Sequence, residues 1–148
     1  MIGALLDRMR DARRRRLWDR DLATGRRGED LAHRYLRREG FIIVARNYRL
    51  SSGEAEADLI ARDGEDLVIV EVKTRESAEY GPPEGAVNRE KQRHLIRVGR
   101  EYARKTNTPW ERVRFDVVSV ILGNPLGNPL GNSKREPPSI ALFRGLFH

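Results

Sequence analysis

The chain has no cysteine, which excludes disulfide bridges and thiolate zinc sites and suits a reducing cytoplasm. Histidine is almost as scarce. His33 is expected on the exposed side of a first helix, His94 beside basic neighbours and His148 at the terminus, with no metal-ligand spacing among them. Long apolar runs are missing too. A membrane-spanning helix needs about 20 mostly apolar residues, and the opening Ile2-Gly3-Ala4-Leu5-Leu6 stops at Asp7 before a signal-peptide core can form. A soluble, cytoplasmic protein without stable membrane insertion is therefore expected. Aromatic residues are few: Trp18, Tyr48, Tyr80 and Trp110 have the chemistry to stack on bases, although isolated aromatics more often serve as core or cap residues.

Charge, by contrast, is abundant and segregated. The net charge is +7 over 148 residues, a length that suits one domain around a single core. Residues 1–27 hold nine arginines against four acids (+5), residues 54–84 three bases against ten acids (−7), and residues 89–114 nine bases against three acids (+6). An acidic centre between basic flanks suits a cation site beside a polyanion track. A solvated helix face is the commoner meaning of any one basic run.

Residues 1–21, with Arg13-Arg14-Arg15-Arg16, read as a basic arginine-rich N-terminal arm, either disordered or a helix docked through Leu17 and Trp18. Phosphate binding, simple solubilisation and contact with an anionic membrane surface are all open to it. Residues 22–148 read as the folded domain. From about Thr24 to Glu39, Gly28, Leu31, Ala32, Tyr35 and Leu36 follow helical spacing and Gly40 supplies the stop. Glu29 lies at the margin of that buried stripe, placed to reach a neighbouring sheet or to stabilise the first turn. Phe41 to Val44 and Tyr48 to Leu50 suggest a strand bent near Asn47. A second helix from about Val87 to Lys105 buries Leu95, Val98 and Tyr102 and presents Arg89, Lys91, Arg93, Arg97, Arg100 and Arg104 as a basic surface. Arg112 to Leu122 makes another strand. The stretch through Gly81-Pro82-Pro83 and the near-threefold Leu-Gly-Asn-Pro repeat, within a low-complexity loop at about 123–138, read as loops.

The most telling stretch is Glu56-Ala57-Asp58-Leu59-Ile60-Ala61, a polar break, and Leu67-Val68-Ile69-Val70-Glu71-Val72-Lys73. Asp63-Gly64 in the break favours a tight hairpin turn. If Arg62 faces Glu65, Asp58 falls opposite Ile69 and Glu56 opposite Glu71, and the two-residue strand period puts Glu56, Asp58, Glu71 and Lys73 on one face. That face also carries Ile60, Leu67 and Ile69, while the other carries Ala57, Leu59, Val68, Val70 and Val72, so both sides look buried. Like charges set opposite each other destabilise a sheet, and solvent, Lys73 or a bound cation must offset them. On pattern alone, a cation site and a solvated or salt-bridged strand end stand level.

Asp58 followed by Glu71-x-Lys73 on the next strand resembles the metal-dependent PD-(D/E)xK nuclease signature, and Glu71-Val72-Lys73-Thr74-Arg75 is similar to the corresponding string of the YraN-like bacterial proteins. The resemblance extends upstream to Gly25-Arg26-Arg27-Gly28-Glu29, Ala32, Tyr35-Leu36 and Gly40, and downstream to Lys91, Ala103 and Arg114-Phe115-Asp116-Val117-Val118. It covers roughly residues 24 to 122, with a last strand near Ile140 to Phe143. Two departures stand out: Ala55-Glu56-Ala57-Asp58 replaces the usual Gly-Glu-apolar-Asp, and no proline precedes Asp58. Neither removes a charged residue.

The resemblance implies an α/β fold, a restriction endonuclease-like sandwich with a central mixed β-sheet flanked by helices, related to archaeal Holliday-junction resolvases. It implies Mg²⁺ or Mn²⁺ held by Asp58, Glu71 and the backbone carbonyl of Val72, with Lys73 orienting the attacking water or neutralising phosphate charge. Glu29 would complete this catalytic set, and Glu56 would act from the outer shell. The expected partner is nucleic acid, DNA above RNA, gripped by Arg75, Arg89, Lys91, Arg93, Arg97 and Arg100; a homodimer is compatible. The implied activity is metal-dependent hydrolysis of DNA phosphodiesters, branched or junction DNA included. The alternatives are a non-catalytic nucleic-acid-binding module and a scaffold in DNA repair or uptake.

Overall fold

The computed structural model describes residues 2–76, 87–123 and 137–147, and within the first helix it describes no side chain of residues 2, 3, 11 or 13–21. The elements are α1 (Ile2–Arg38), β1 (Ile42–Arg49), β2 (Glu56–Asp63), β3 (Asp66–Arg75), α2 (Arg89–Lys105), a short 3-10 turn (Trp110–Arg112), β4 (Val113–Ile121) and β5 (Ser139–Phe147). The Gly81-Pro82-Pro83 stretch, Tyr80, His148 and most of the Leu-Gly-Asn-Pro repeat lie outside the described residues, as does the side chain of Trp18.

The five strands form one sheet in sequence order, antiparallel except where β3 runs parallel to β4. A parallel pair needs a crossover, and α2 lies in it. One face of the sheet offers Leu59, Ala61, Val68, Val70 and Val72 to Ala32 and Leu36 of α1. The other offers Ile60, Leu67, Ile69, Phe115 and Val117 to Leu95, Val98 and Ala103 of α2. The sheet is therefore covered on both faces, as the runs of apolar residues in β3 and β4 require. Among the described residues no helix is long and apolar enough to cross a membrane.

The first helix is longer than its periodic stretch. It begins at Ile2 and continues through Asp21 into the packed part without a break, so the expected start near Thr24 is corrected. No glycine or proline lies between Gly3 and Gly25, and arginine, leucine and alanine propagate a helix well. Its described side chains before Thr24 are exposed, whereas Gly28, Ala32 and Leu36 are buried. The end is a Schellman motif: Phe41 N–H donates to the Leu36 carbonyl, Gly40 N–H to that of Arg37, and Gly40 takes φ +92°.

The hairpin register differs from expectation by two residues. Asp63 pairs with Asp66 and Ile60 with Ile69 around a Gly64-Glu65 turn in which Gly64 has φ +58°. The opposed Asp63 and Asp66 are tolerated because Arg114 bridges them at 2.9 and 3.3 Å. An even shift keeps each strand's alternation, but the alternation itself breaks once. Ala57 lies in the same apolar cluster as Ile60 rather than with Leu59, and across the ladder Tyr48 and Ala45 likewise share a side. The break falls at Asn47 and Asp58, between the Arg46↔Leu59 and Tyr48↔Ala57 pairs, where Asn47 takes φ +48°. Asparagine tolerates that conformation better than most residues.

Candidate active site

The site forms where a ladder stops. Beyond Leu59↔Val70 the pairing of β2 with β3 ends, while β3 continues beside β4 to Arg75↔Ile121 and β2 beside β1 to Arg49↔Glu56. A buried backbone donor left by such a parting needs an acceptor. Asp58 supplies it: its Oδ2 accepts a 2.8 Å hydrogen bond from Val72 N–H.

The parting opens a cavity of about 370 Å³ lined by Thr24, Gly25, Glu29, Asp58, Glu71, Val72, Lys73 and Thr74. The first helix reaches it through a close approach at Gly28, where an added Cβ would fall 1.8 Å from Thr74 Oγ1. That contact leaves Glu29 facing the strand ends, 3.8 Å from Arg46. Glu29, Asp58, Glu71 and Lys73, distant in sequence, thus share one concavity.

Glu71 is its electrostatic centre. The side chain is 5% exposed, with Oε1 3.3 Å from Lys73 Nζ and 3.6 Å from Lys91 Nζ. Its Oε2 is buried and meets no donor among the described residues while both acids are ionised; a proton held between the Glu71 and Asp58 carboxyls gives the pair a hydrogen bond. Burial, and then the Asp58 carboxylate beside it, push the Glu71 carboxyl up to about 7 against the pull of Lys91 and Lys73. Asp58 is also raised by burial, restrained by the Val72 N–H. Glu29 is raised by burial and by Asp58, with Asn47 and Arg46 pulling the other way. Three acids that each resist ionisation around one cavity are a signature of functional sites and of buried ion-pair networks alike.

Among the described residues no three His, Cys, Asp or Glu side chains are grouped to hold a metal ion. The fit to a divalent cation rests on fewer and harder donors. Asp58 and Glu71 are adjacent buried carboxyls, and Val72, the expected carbonyl donor, lines the same wall. Mg²⁺ commonly takes one or two carboxylates and keeps several waters, so this set fits it. Glu56 stands back from the cavity lining, 3.3 Å from Arg49.

The basic residues divide. Lys91, expected on the nucleic-acid surface, turns instead to Glu71. The Asn88 side chain caps α2 by accepting from Lys91 N–H at 2.8 Å, and this fixes where the helix starts. Arg97 pairs with Glu54 at 2.7 Å, Arg93 Nε donates to the Arg89 carbonyl, and Arg100 lies over the Trp110 ring. Arg75 ends β3 and is half-buried. His33 is not simply exposed: β1 runs alongside the helix, the residue is half-buried, and its Nδ1 is buried without a partner among the described residues.

Sequence reasoning missed Thr24 and Thr74 as cavity walls and named Lys91 for nucleic-acid binding without its contact to Glu71. Lys91, Leu95, Val98 and Tyr102 sit at helical spacing, a signal that Lys91 faces inward. It also missed the network in which fully buried Asp116 accepts from Arg114 and from Gly145 N–H, the latter at 2.9 Å. Arg114 and Asp116 are two apart on β4 and so share a face.

Fold and site together define a three-layer α/β/α domain with a charged cleft where two central strands part. Within that class the chain belongs to the uncharacterised protein family UPF0102, whose family model matches residues 28–120. It is 53% identical over 122 residues to a UPF0102 protein of Solibacter usitatus, covering 82% of this chain and 90% of that one. A UPF0102 protein of Rhodococcus opacus is 48% identical over 104 residues, 70% of this chain and 86% of the relative. One from Dictyoglomus turgidum is 40% identical over 98 residues, 66% and 81% of the two chains. Family membership thus agrees with the motif resemblance, and none of these descriptions assigns an activity.

Proposed function

We propose that this protein is a metal-dependent nuclease that hydrolyses DNA phosphodiesters, with branched and junction DNA in its range. The observation that carries the proposal is the pair of adjacent, buried carboxyls of Glu71 and Asp58 in an open cavity that also presents Lys73. Asp58, Glu71 and the Val72 carbonyl would hold Mg²⁺ or Mn²⁺. Such an ion, when bound, polarises a phosphate oxygen and acidifies a water. Lys73 is placed to donate to a phosphate oxygen or to the attacking water, and Lys91 adds a second positive charge at the same wall. Glu29, its carboxyl raised, offers a proton acceptor on the helix side of the cavity. The exposed arginines of α2 supply the electrostatic attraction for a polyanion.

A specific observation favours the alternative, a nucleic-acid-binding module without cleavage. Glu71 Oε1 already has two ammonium partners, so the acids are partly neutralised from within. Cleavage separates the readings. Purified protein is tested on duplex, single-stranded, flap and four-way junction DNA with Mg²⁺, Mn²⁺ or chelator, beside Asp58→Asn and Lys73→Ala of verified folding. The nuclease reading expects metal-dependent nicking by wild type, a loss of at least about a hundredfold in both variants, and DNA affinity within about threefold of wild type, because these groups act on the transition state. Wild type that cuts no substrate while binding DNA assigns the binding module.

A further inference from the structure

A second cavity, of about 600 Å³, lies at the C-terminal end of α2, lined by Arg100, Ala103, Arg104, Asn107, Thr108 and Trp110. Its volume is within the range of small-ligand sites. Trp110 is 42% exposed, yet it is held in place: Pro109 precedes its 3-10 turn and Phe115 lies against its ring at 6.1 Å between centroids. The Arg100 guanidinium sits 5.4 Å from the indole centroid. Arg104 donates through Nε to the Arg100 carbonyl. Neither arginine has a carboxylate partner, and no acid lines the cavity, among the described residues.

The rest of the wall is polar and fixed. Thr108 Oγ1 accepts from Arg62 at 2.9 Å and lies 2.9 Å from Thr106 Oγ1. Asn107 takes φ +49°, and its side-chain amide makes no hydrogen bond among the described residues, leaving a donor and an acceptor free. The helix end itself carries a charge of about −0.5, which two guanidinium groups outweigh. An indole with a guanidinium over one face, a second arginine without a carboxylate partner and an amide without a hydrogen bond, all among the described residues, have the chemistry of a nucleotide site: the base stacks on the indole–guanidinium platform, the phosphate meets Arg104, and the amide reads a base edge.

A row of arginines spans α2 between the cavity and the end of the helix that carries Lys91. Arg89, Arg93, Arg97, Arg100 and Arg104 are all exposed, and their spacing of three or four residues sets them along one face of α2. From Lys91, beside Glu71, to Arg104 the helix rises about 20 Å, a span of a few nucleotides.

We propose that this cavity holds one unstacked nucleotide of a single-stranded segment whose backbone follows the α2 arginines towards the acidic cleft. The proposal rests on the nucleic-acid part of the functional reading and not on cleavage. A duplex keeps its bases stacked and cannot present one to Trp110, so the site selects single-stranded DNA or the single-stranded arm of a branched substrate.

The test is fluorescence anisotropy with a labelled single-stranded 15-mer and a blunt duplex of the same sequence, with chelator present. Trp110→Ala is expected to weaken single-strand binding about tenfold, in line with the contribution of one aromatic–base stack. Duplex affinity should change less than twofold. Trp110→Phe, which keeps a ring against Phe115, should restore most of the loss. Arg100→Ala with Arg104→Ala should lower the salt slope of single-strand binding, whereas Trp110→Ala should leave it unchanged. Equal losses on both DNAs, or none with either Trp110→Ala or the double arginine variant, overturn the site while leaving the nuclease reading standing. Wild type that binds neither DNA overturns both.

Discussion

Replacing Gly28 with alanine tests whether the helix-to-strand contact builds the cleft. At an ordinary helical position the change stabilises by about 1 kcal/mol, because glycine is the poorer helix former. Here the new methyl would lie 1.8 Å from Thr74 Oγ1 and 2.7 Å from Thr74 Cβ and Cγ2. Rotating the threonine cannot relieve the overlap, since its Cβ is fixed by β3. Separating them to van der Waals contact requires α1 and β3 to move apart by more than 1 Å, and overpacking of this kind costs about 1–3 kcal/mol. We take the upper end because backbone must move, which leaves a net loss of about 2 kcal/mol and a fall in Tm of roughly 6 °C for a chain of this size. Gly25, in the same helix, has nothing within 4 Å of the equivalent point, so Gly25→Ala should be neutral or stabilising by up to about 1 kcal/mol. Thermal unfolding of both variants is the assay, with Gly28→Ala combined with Thr74→Ala as the cycle. The double variant should be less destabilised than the sum of the singles, because truncating Thr74 removes two of the three overlapping atoms. Gly28→Ala as stable as wild type would refute the packing argument.

Two further outcomes follow from buried charge. The Glu71 carboxyl titrates near 7 in the fold, raised from 4.5, so the folded state holds its proton more tightly; the stability this contributes is full below about pH 4.5 and lost as pH rises through about 7. In chelator, denaturation of wild type should therefore show a larger decline across that window than Glu71→Gln, in which Asp58 and Glu29 still hold their protons more tightly when folded, and parallel curves would disprove the assignment. Arg114→Ala strips fully buried Asp116 of its cation, leaving the Gly145 N–H as its donor among the described residues, and should cost about 3 kcal/mol in urea denaturation, the penalty of an uncompensated buried charge.

The sequence made the layers legible because the signals were local. The 3.6-residue stripe of Gly28, Ala32 and Leu36, the glycine stop at Gly40 and the apolar runs of β3 and β4 each dictate an element without reference to the rest of the chain. Shared strand parity correctly put Glu71 and Lys73 on one side, but the register could not be read, since the opposition of Asp63 and Asp66 is acceptable only with Arg114 between them. That arginine enters from a strand about 50 residues away. The contact of Lys91 with Glu71 was legible in principle from the spacing of Lys91 to Leu95 and Val98, and was passed over because a charged residue among arginines looks like surface. The turn of Asn47 into φ +48° was visible only as a bend, and its consequence, the change of face at Asp58, emerges from the pairing of two strands.

The parting of β2 from β3 explains why these acids can sit so deep. A continuous ladder would have given Val72 N–H a carbonyl partner and closed the space that Glu29 now faces. With the ladder interrupted, Asp58 is held by the backbone donor it satisfies, and the gap admits a helix on one side and two lysines on the other. Glu29, Asp58 and Glu71 face three cations, Lys73, Lys91 and Arg46, the last shared with Asp30. Two buried carboxyls side by side cannot both ionise at close range, so the pair is held by a proton between them or by a cation, and burial raises both.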